Sequence, residues 1–365
     1  MRVGFSWKGR QYEAEQIARG AKTIRIGWLD QDVPSRFSDC VASDPKRPGW
    51  MTVKLPLGGP DGIAIEDQDA QSLIKKRQSE WAASQGIRLQ KGSAKSAKSS
   101  NAILYTHSLH ENLFEKLSAE VTKEFEQGDG RPLMGKKGSL PHFWALHNSD
   151  AIAANVFCYW KARDCSRVAH YLNIPKDGLA NLTFEQKFRI LPHGNKTAPN
   201  IDVAIQYAPG CVLDWVGIEC KLTETYPAKR RHFFDEKYFV PGRWWDGLPG
   251  TRRLAESFRG DGRKTETTKR HLDRGQLIKH VLGLRNACRL KQTDPCRIKL
   301  IYLWYDVGLP EARLHEQEVE AFAAVLGRDG VQFQAMTWQH LIRALVEGER
   351  EQHPNYVDYL ARRYL

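Results

Sequence analysis

The sequence predicts an α/β protein whose central mixed sheet has four or five strands flanked by helices, preceded by a small mixed α+β region. Three observations carry that expectation. Apolar and polar residues alternate across residues 182–190 and on both sides of the Pro209-Gly210 turn, which is the two-residue period of strands. Across residues 109–127, 150–160 and 274–289 the apolar spacing is instead three to four residues, the helical period. After Lys299 a strand-then-helix order occurs twice, as residues 299–307 with 311–326 and residues 331–338 with 338–347.

With 365 residues, 41% of them hydrophobic and 11 of them Trp, the chain has material for two or three domains with real cores. Residues 1–90 read as an N-terminal α+β region, with strands at TIRIGW (23–28) and MTVKLPL (51–57). An amphipathic helix over 65–84 places Ala70, Leu73, Ile74 and Trp81 on one stripe. Residues 91–104 begin with KGSAKSAKSS, a flexible basic linker, and residues 105–365 form the main domain, helical over 105–175 and α/β over 180–350. The net charge of +12 and a pI near 9.3 favour a polyanionic partner, with nucleic acid foremost. No apolar run is long enough to span a bilayer and the first residues lack a signal-peptide core, so a cytoplasmic protein without a membrane partner is expected. The seven cysteines are odd in number and contain no CxxC pair, which argues for free thiols rather than a zinc ribbon or a disulfide framework.

Within the main domain, Leu113, Leu117, Val121 and Phe125 recur every four residues and predict one helix over 109–127 that ends at Gly128. Ser149 is the expected N-cap of a helix over 150–160, and a short helix over 167–172 stops ahead of Pro175. Leu182, Phe184, Phe188 and Ile190 would share one face of a strand, with Glu185, Lys187 and Arg189 on the other. In the strand over 201–208, Ile201, Val203, Ile205 and Tyr207 face one way and Asp202, Ala204 and Gln206 the other. In the strand over 212–222, Val216, Ile218, Cys220 and Leu222 share a face, which leaves Glu219 and Lys221 on the opposite one. The acid-bearing faces can therefore coincide. Residues 226–269 interleave aromatics with bases and allow two readings: aromatics pinning the segment to the core, or bases reaching phosphates while aromatics stack on bases of a nucleic acid.

Charged side chains in apolar strands require a partner, because an unpaired buried carboxylate costs several kcal/mol. Asp202 and Glu219 are the expected ligand pair for Mg²⁺, with Mn²⁺ able to substitute, and the backbone carbonyl of Cys220 supplies a third oxygen. Lys221 would orient a water or stabilise charge in the transition state; a buried ion pair with a carboxylate is the competing account of it. His107, His110, His142 and His147 read as structural or exposed side chains rather than metal ligands.

Ile201-Asp202-Val203 followed by Ile218-Glu219-Cys220-Lys221 resembles the PD-(D/E)xK motif of restriction-endonuclease-like nucleases, with the expected proline displaced to Pro199. The resemblance implies that Glu185, in Thr183-Phe184-Glu185-Gln186, completes the metal site. It also implies that Gln276 steadies the site from a helix similar to the QxxxY type, with His280 in place of Tyr. Gly128-Asp129-Gly130, ALHNSDAIAANVFCYW, IECKLTE and QLIKHVLGL resemble a family of uncharacterised bacterial proteins assigned as restriction endonucleases, over residues 105–365. The ExK tripeptide recurs at Glu185-Gln186-Lys187, and Asp235-Glu236-Lys237 has the D-x-K form, but only the copy at Glu219 follows a second apolar, acid-bearing strand. The implied activity is a Mg²⁺-dependent DNA endonuclease of restriction or defence type. Its need for two centres to cut a duplex is compatible with a homodimer. A non-catalytic nucleic-acid binder on this scaffold, or an RNA- or structure-specific nuclease, are the alternatives.

Overall fold

In the computed structural model the described residues are five strands within the first 54 positions, traced as backbone, and positions 69–92, 103–128, 130–135, 138–191, 198–226, 228–240, 242–290 and 296–365. The chain divides into two compact units, Met1–Asp67 and Gln68–Leu365. In the first, β1 (Arg2–Trp7), β2 (Arg10–Glu15), β3 (Thr23–Gly27), β4 (Val41–Ser43) and β5 (Trp50–Lys54) form an antiparallel sheet in the order β1-β2-β3-β5-β4. The sequence expectations at 23–28 and 51–57 correspond to β3 and β5. Most of the basic KGSAKSAKSS stretch, residues 93–100, lies outside the described residues, as do residues 65–68 of the expected first helix.

The second unit begins with α1 (Ala70–Ser84), the short strands β6 (Gln90–Lys91) and β7 (Ile103–Tyr105), and the helices α2 (Ala119–Gln127), α3 (Ser149–Lys161) and α4 (Cys165–Tyr171). There follow β8 (Leu179–Lys187), β9 (Asn200–Tyr207), β10 (Trp215–Lys221), β11 (Lys229–His232), β12 (Phe234–Asp235), α5 (Pro249–Glu256), β13 (Arg259–Gly260), β14 (Thr265–Arg270) and α6 (Arg274–Leu290). The chain closes with β15 (Ile298–Trp304), α7 (Pro310–Arg328), β16 (Gln332–Thr337), α8 (Trp338–Glu349) and α9 (Pro354–Tyr364).

Five strands make the central sheet in the order β16-β15-β10-β9-β8, the first three parallel and the last two antiparallel to their neighbours. Helices cover both faces, as expected of an α/β layer structure. On one face Val203, Ile205, Val216, Ile218 and Cys220 pack with α3, α4, α8 and α9; on the other Ala204, Trp215, Leu300 and Tyr302 pack with α6 and α7. Gly217 keeps the second interface tight, since a Cβ there would lie 2.9 Å from Leu284 and 3.0 Å from Ile201.

The expected single helix over 109–127 is broken. A short 3-10 turn spans Leu109–Asn112, Leu113 is extended, and α2 starts only after Ser118, whose Oγ accepts the Val121 N–H at 3.2 Å. The reason is tertiary. Asn112 is buried and its amide donates to the carbonyls of Phe143 and Ala145, while its own carbonyl oxygen and Oδ1 accept from the Arg363 guanidinium of α9 at 2.8 and 2.5 Å. Arg363 also holds Gln78 of α1, so this one cation ties α1 and α9 to the segment ahead of α2. The cap of α3 is also one residue earlier than expected: Asn148, not Ser149, accepts the Ala151 N–H at 3.0 Å.

A second difference concerns alternation. Leu182 and Phe184 of β8 join the α3-side core, but Phe188 and Ile190 join the α6-side core. The side chains change faces at Glu185, which has a left-handed backbone (φ 52°). In β9, Val203, Ile205 and Tyr207 lie on the α3 side and Ile201 on the α6 side, so the change occurs at Asp202. The flanking pairs Phe184↔Val203 and Gln186↔Ile201 put Glu185 opposite Asp202, and the two acids share one crossover. Asn112→Ala removes one acceptor of the buried Arg363 and the amide bonds to the Phe143 and Ala145 carbonyls, and should lower unfolding stability by about 3 kcal/mol, as a shift in urea midpoint would show.

Candidate active site

The register of β9 on β10 runs from Trp215↔Gln206 to Ile218↔Val203 and stops there, while β10 stays paired to β15 through Lys221↔Trp304. Beyond Ile218 the sheet is forked. The Cys220 N–H has lost its strand partner, and the Asp202 Oδ2 takes it at 2.7 Å. Cys220 thus contributes an amide to the site, while its thiol is buried among the α3-side residues and its pKa is driven far up by that burial.

Three carboxylates converge at the fork. Asp150, Glu185 and Asp202 each offer an oxygen, and these atoms lie within 4.8 Å of one another. They come from the first turn of α3, from the left-handed position of β8 and from β9. Asp150 is the member that the sequence reading did not single out. It sits two residues past its N-cap, where a first-turn acid is ordinarily explained by the helix dipole alone. The only available signal was that a first-turn acid on an otherwise apolar helix has two accounts, and periodicity supports the commoner one.

The electrostatics match a site that shares charge. Burial, followed by the charge of Glu224, lifts Asp150 to about 6. Burial and then Asp150 lift Glu185 to about 8, against an opposing hydrogen bond donated by Asn200 Nδ2 at 3.0 Å. Burial and Glu219 raise Asp202 well above the usual carboxylate range. Like charges this close favour a proton or a cation among them.

Glu219, expected as a metal ligand, lies outside that triad and is held by cationic neighbours. It is fully buried, and Lys221 Nζ contacts its Oε1. Its Oε2 lies 2.7 Å from His280 Nε2 of α6, close enough for an ion pair, although the ring N–H is not aimed at the oxygen and both atoms lack a well-formed hydrogen bond. Burial alone would raise Glu219; Lys221 and then His280 outweigh it and bring it to about 2. Burial would lower Lys221, but Glu219 and then Asp202 hold it well above the usual lysine value. The buried ion pair considered as the competing account of Lys221 is therefore formed, between the Glu and Lys of ExK itself.

Gln276 is placed one turn before His280 on α6, and its side chain forms no hydrogen bond with the acidic group; its backbone N–H bonds Asp273 at 2.9 Å. On this helix it is His280, expected in the place of the Tyr of the QxxxY type, whose Nε2 lies against Glu219. Gly128 closes the other side. A Cβ there would overlap Glu185 Oε2 and lie 2.9 Å from its Cγ, so glycine is what lets this carboxylate pass.

The donor set is all oxygen and carries more negative charge than its surroundings offset, which suits a hard divalent cation. A mixed sheet forked around converging acids and an ExK strand defines the restriction-endonuclease-like class of α/β proteins. The chain belongs to the family described as restriction endonuclease associating with ARP, whose model matches residues 75–365. No curated protein and no solved structure matches it.

In the cation-free protein, Asp150 and Glu185 keep protons that the unfolded chain releases at its ordinary values of 3.8 and 4.5. Their contribution to stability is full below those values and lost as pH rises through about 6 and about 8. Glu219 acts the other way, losing its contribution only as pH falls from 4.5 toward about 2. The melting temperature after chelation should therefore fall from about pH 5.5 to about pH 8.5, and added Mg²⁺ or Mn²⁺ should raise it more at the higher pH. A flat profile with no cation response would contradict a shared site. Gly128→Ala should weaken Mn²⁺ binding about tenfold in calorimetric titration, with the far-UV spectrum unchanged.

Proposed function

We propose that this protein is a Mg²⁺-dependent DNA endonuclease that hydrolyses phosphodiester bonds in restriction or phage defence, acting on DNA in the cytoplasm. The observation that carries the reading is the convergence of Asp150, Glu185 and Asp202 beside the Glu219-Lys221 pair at the fork of the sheet. Family membership and the acidic triad support a nuclease role at the coarser level.

Asp150, Glu185 and Asp202 would hold the cation. Because a strand residue directs its N–H and C=O to the same side, the Cys220 carbonyl is available in the fork as a further oxygen. A divalent cation bound there would polarise a phosphoryl oxygen and acidify a water. Lys221 remains protonated and offers its charge to the phosphate oxygens as they gain negative charge, and this role excludes it as a general base in the cation-free state. Glu219 fixes the Lys221 ammonium, and its second oxygen, lacking an aligned donor, is free to turn toward a cation or a water. His280 limits that motion from the α6 side, and Gln276 lies one turn earlier on the same helix.

Asp202→Asn keeps an acceptor for the Cys220 N–H, and Glu219→Gln keeps its volume, so both variants should fold. Each should lower Mg²⁺-dependent cleavage by at least about 100-fold on a panel of duplex DNA, single-stranded DNA and RNA. Undiminished cleavage in both purified variants would overturn the assignment. Preferential cleavage of RNA would keep the centre and replace the substrate.

A further inference from the structure

We infer that the two-stranded ribbon formed by β11 and β14 is a duplex-DNA contact that enters the major groove. The inference rests on the nuclease reading above and supplies its substrate-holding surface. The ribbon is antiparallel, with Lys229 opposite Arg270 and Arg230 opposite Lys269. The Lys229–Arg270 pair lies on the side of Arg231 and Glu266, where Arg270 Nε is 3.9 Å from Glu266 Oε2. The Arg230–Lys269 pair has no such partner among the described residues, and because like charges directly opposite one another destabilise a strand pair, it calls for a polyanion to offset it.

The two faces of the ribbon differ. On the inner face Arg231 reaches Asp273 at 3.6 Å and donates to the His271 carbonyl at 2.5 Å, and Glu266 is bonded by Arg274 at 2.8 Å. Those ions are neutralised and anchor the ribbon to the start of α6. On the other face Arg230, His232, Thr265, Thr267 and Lys269 are exposed, and among the described residues none of the three basic ones has an acidic partner.

Its position suits the site. The chain enters the ribbon soon after Lys221 and leaves it into α6, which carries His280; His271 Nδ1 lies 2.9 Å from the Thr225 carbonyl and staples the two ends together.

The groove follows from dimensions. The B-form major groove, about 12 Å wide, admits a two-stranded ribbon, whereas the A-form RNA major groove is too narrow and deep for side chains to enter. Duplex DNA is therefore the partner that fits.

The test compares wild type, Arg230→Ala/Lys269→Ala, and a charge-matched control, Arg313→Ala/Arg328→Ala on α7. Fluorescence anisotropy with duplex DNA and duplex RNA is measured in EDTA across a salt series, and cleavage of the same duplexes is followed in Mg²⁺. The ribbon variant should bind duplex DNA roughly tenfold or more weakly near 0.1 M salt, with a salt slope shallower by about two. The control should match wild type, duplex RNA should bind more weakly than DNA, and the ribbon variant should not change it. A ribbon variant with wild-type affinity and slope overturns the inference and leaves the nuclease reading standing. An equal loss on duplex RNA overturns the major-groove assignment. A wild type that neither binds nor cleaves any of these nucleic acids removes the nuclease reading, and the ribbon inference with it.

Discussion

The backbone amide of Cys220 is the point on which the site depends. Once β9 parts from β10 after Ile218, that N–H sits inside the protein without a strand acceptor, and a buried donor left unpaired costs about 1–3 kcal/mol. The Asp202 carboxylate takes it, so one side chain both closes the defect in the sheet and brings an acid into the gap. The fork requires both neighbouring strands to change the face on which their side chains lie, and they do so at Glu185 and Asp202. A non-glycine residue in the left-handed region costs roughly 1–2 kcal/mol, and Glu185 holds that conformation at the position where its carboxylate reaches the cluster.

Four acids gathered at one place are tolerable because they are treated differently. Glu219 is matched by Lys221 and His280 and stays ionised. Asp150, Glu185 and Asp202 have no ion-pair partner among the described residues, and burial beside like charges raises all three, so they share their charge with protons. The division leaves one half of the centre fixing a positive charge and the other half with carboxylates suited to hold one. Because each carboxylate comes from a separate element, the geometry survives only while α3, β8, β9 and β10 remain packed, and binding of a cation would feed back into stability.

The segment between β10 and α6 resolves the two readings that its composition allowed. Phe234, Tyr238, Trp244 and Trp245 are buried in the α6-side core, and both Trp indoles donate to the Tyr238 carbonyl. They pin the segment and are not available as stacking platforms. Its charges divide separately, into those tied beneath the ribbon and those left on its outer face. Aromatics and bases that alternate in sequence thus serve two unrelated purposes in space.

The amino-acid sequence by itself determined that the segments of the central sheet, β8, β9, β10, β15 and β16, are strands, which pair forms the β9–β10 hairpin, and that Glu219 and Lys221 share the face opposite Val216, Ile218 and Cys220. These follow from local periodicity, and periodicity is written residue by residue. Only the tertiary structure decided that Phe188 lies on the other side of the sheet from Phe184, that Asp150 rather than Glu219 joins the triad, and that His280 rather than Gln276 reaches Glu219. A strict two-residue alternation cannot register a single left-handed residue, and it reversed every side chain beyond Glu185. A helix-capping acid carries the same local pattern whether it faces solvent or a metal site, so Asp150 acquires its meaning from β8 and β9 packing against the first turn of α3.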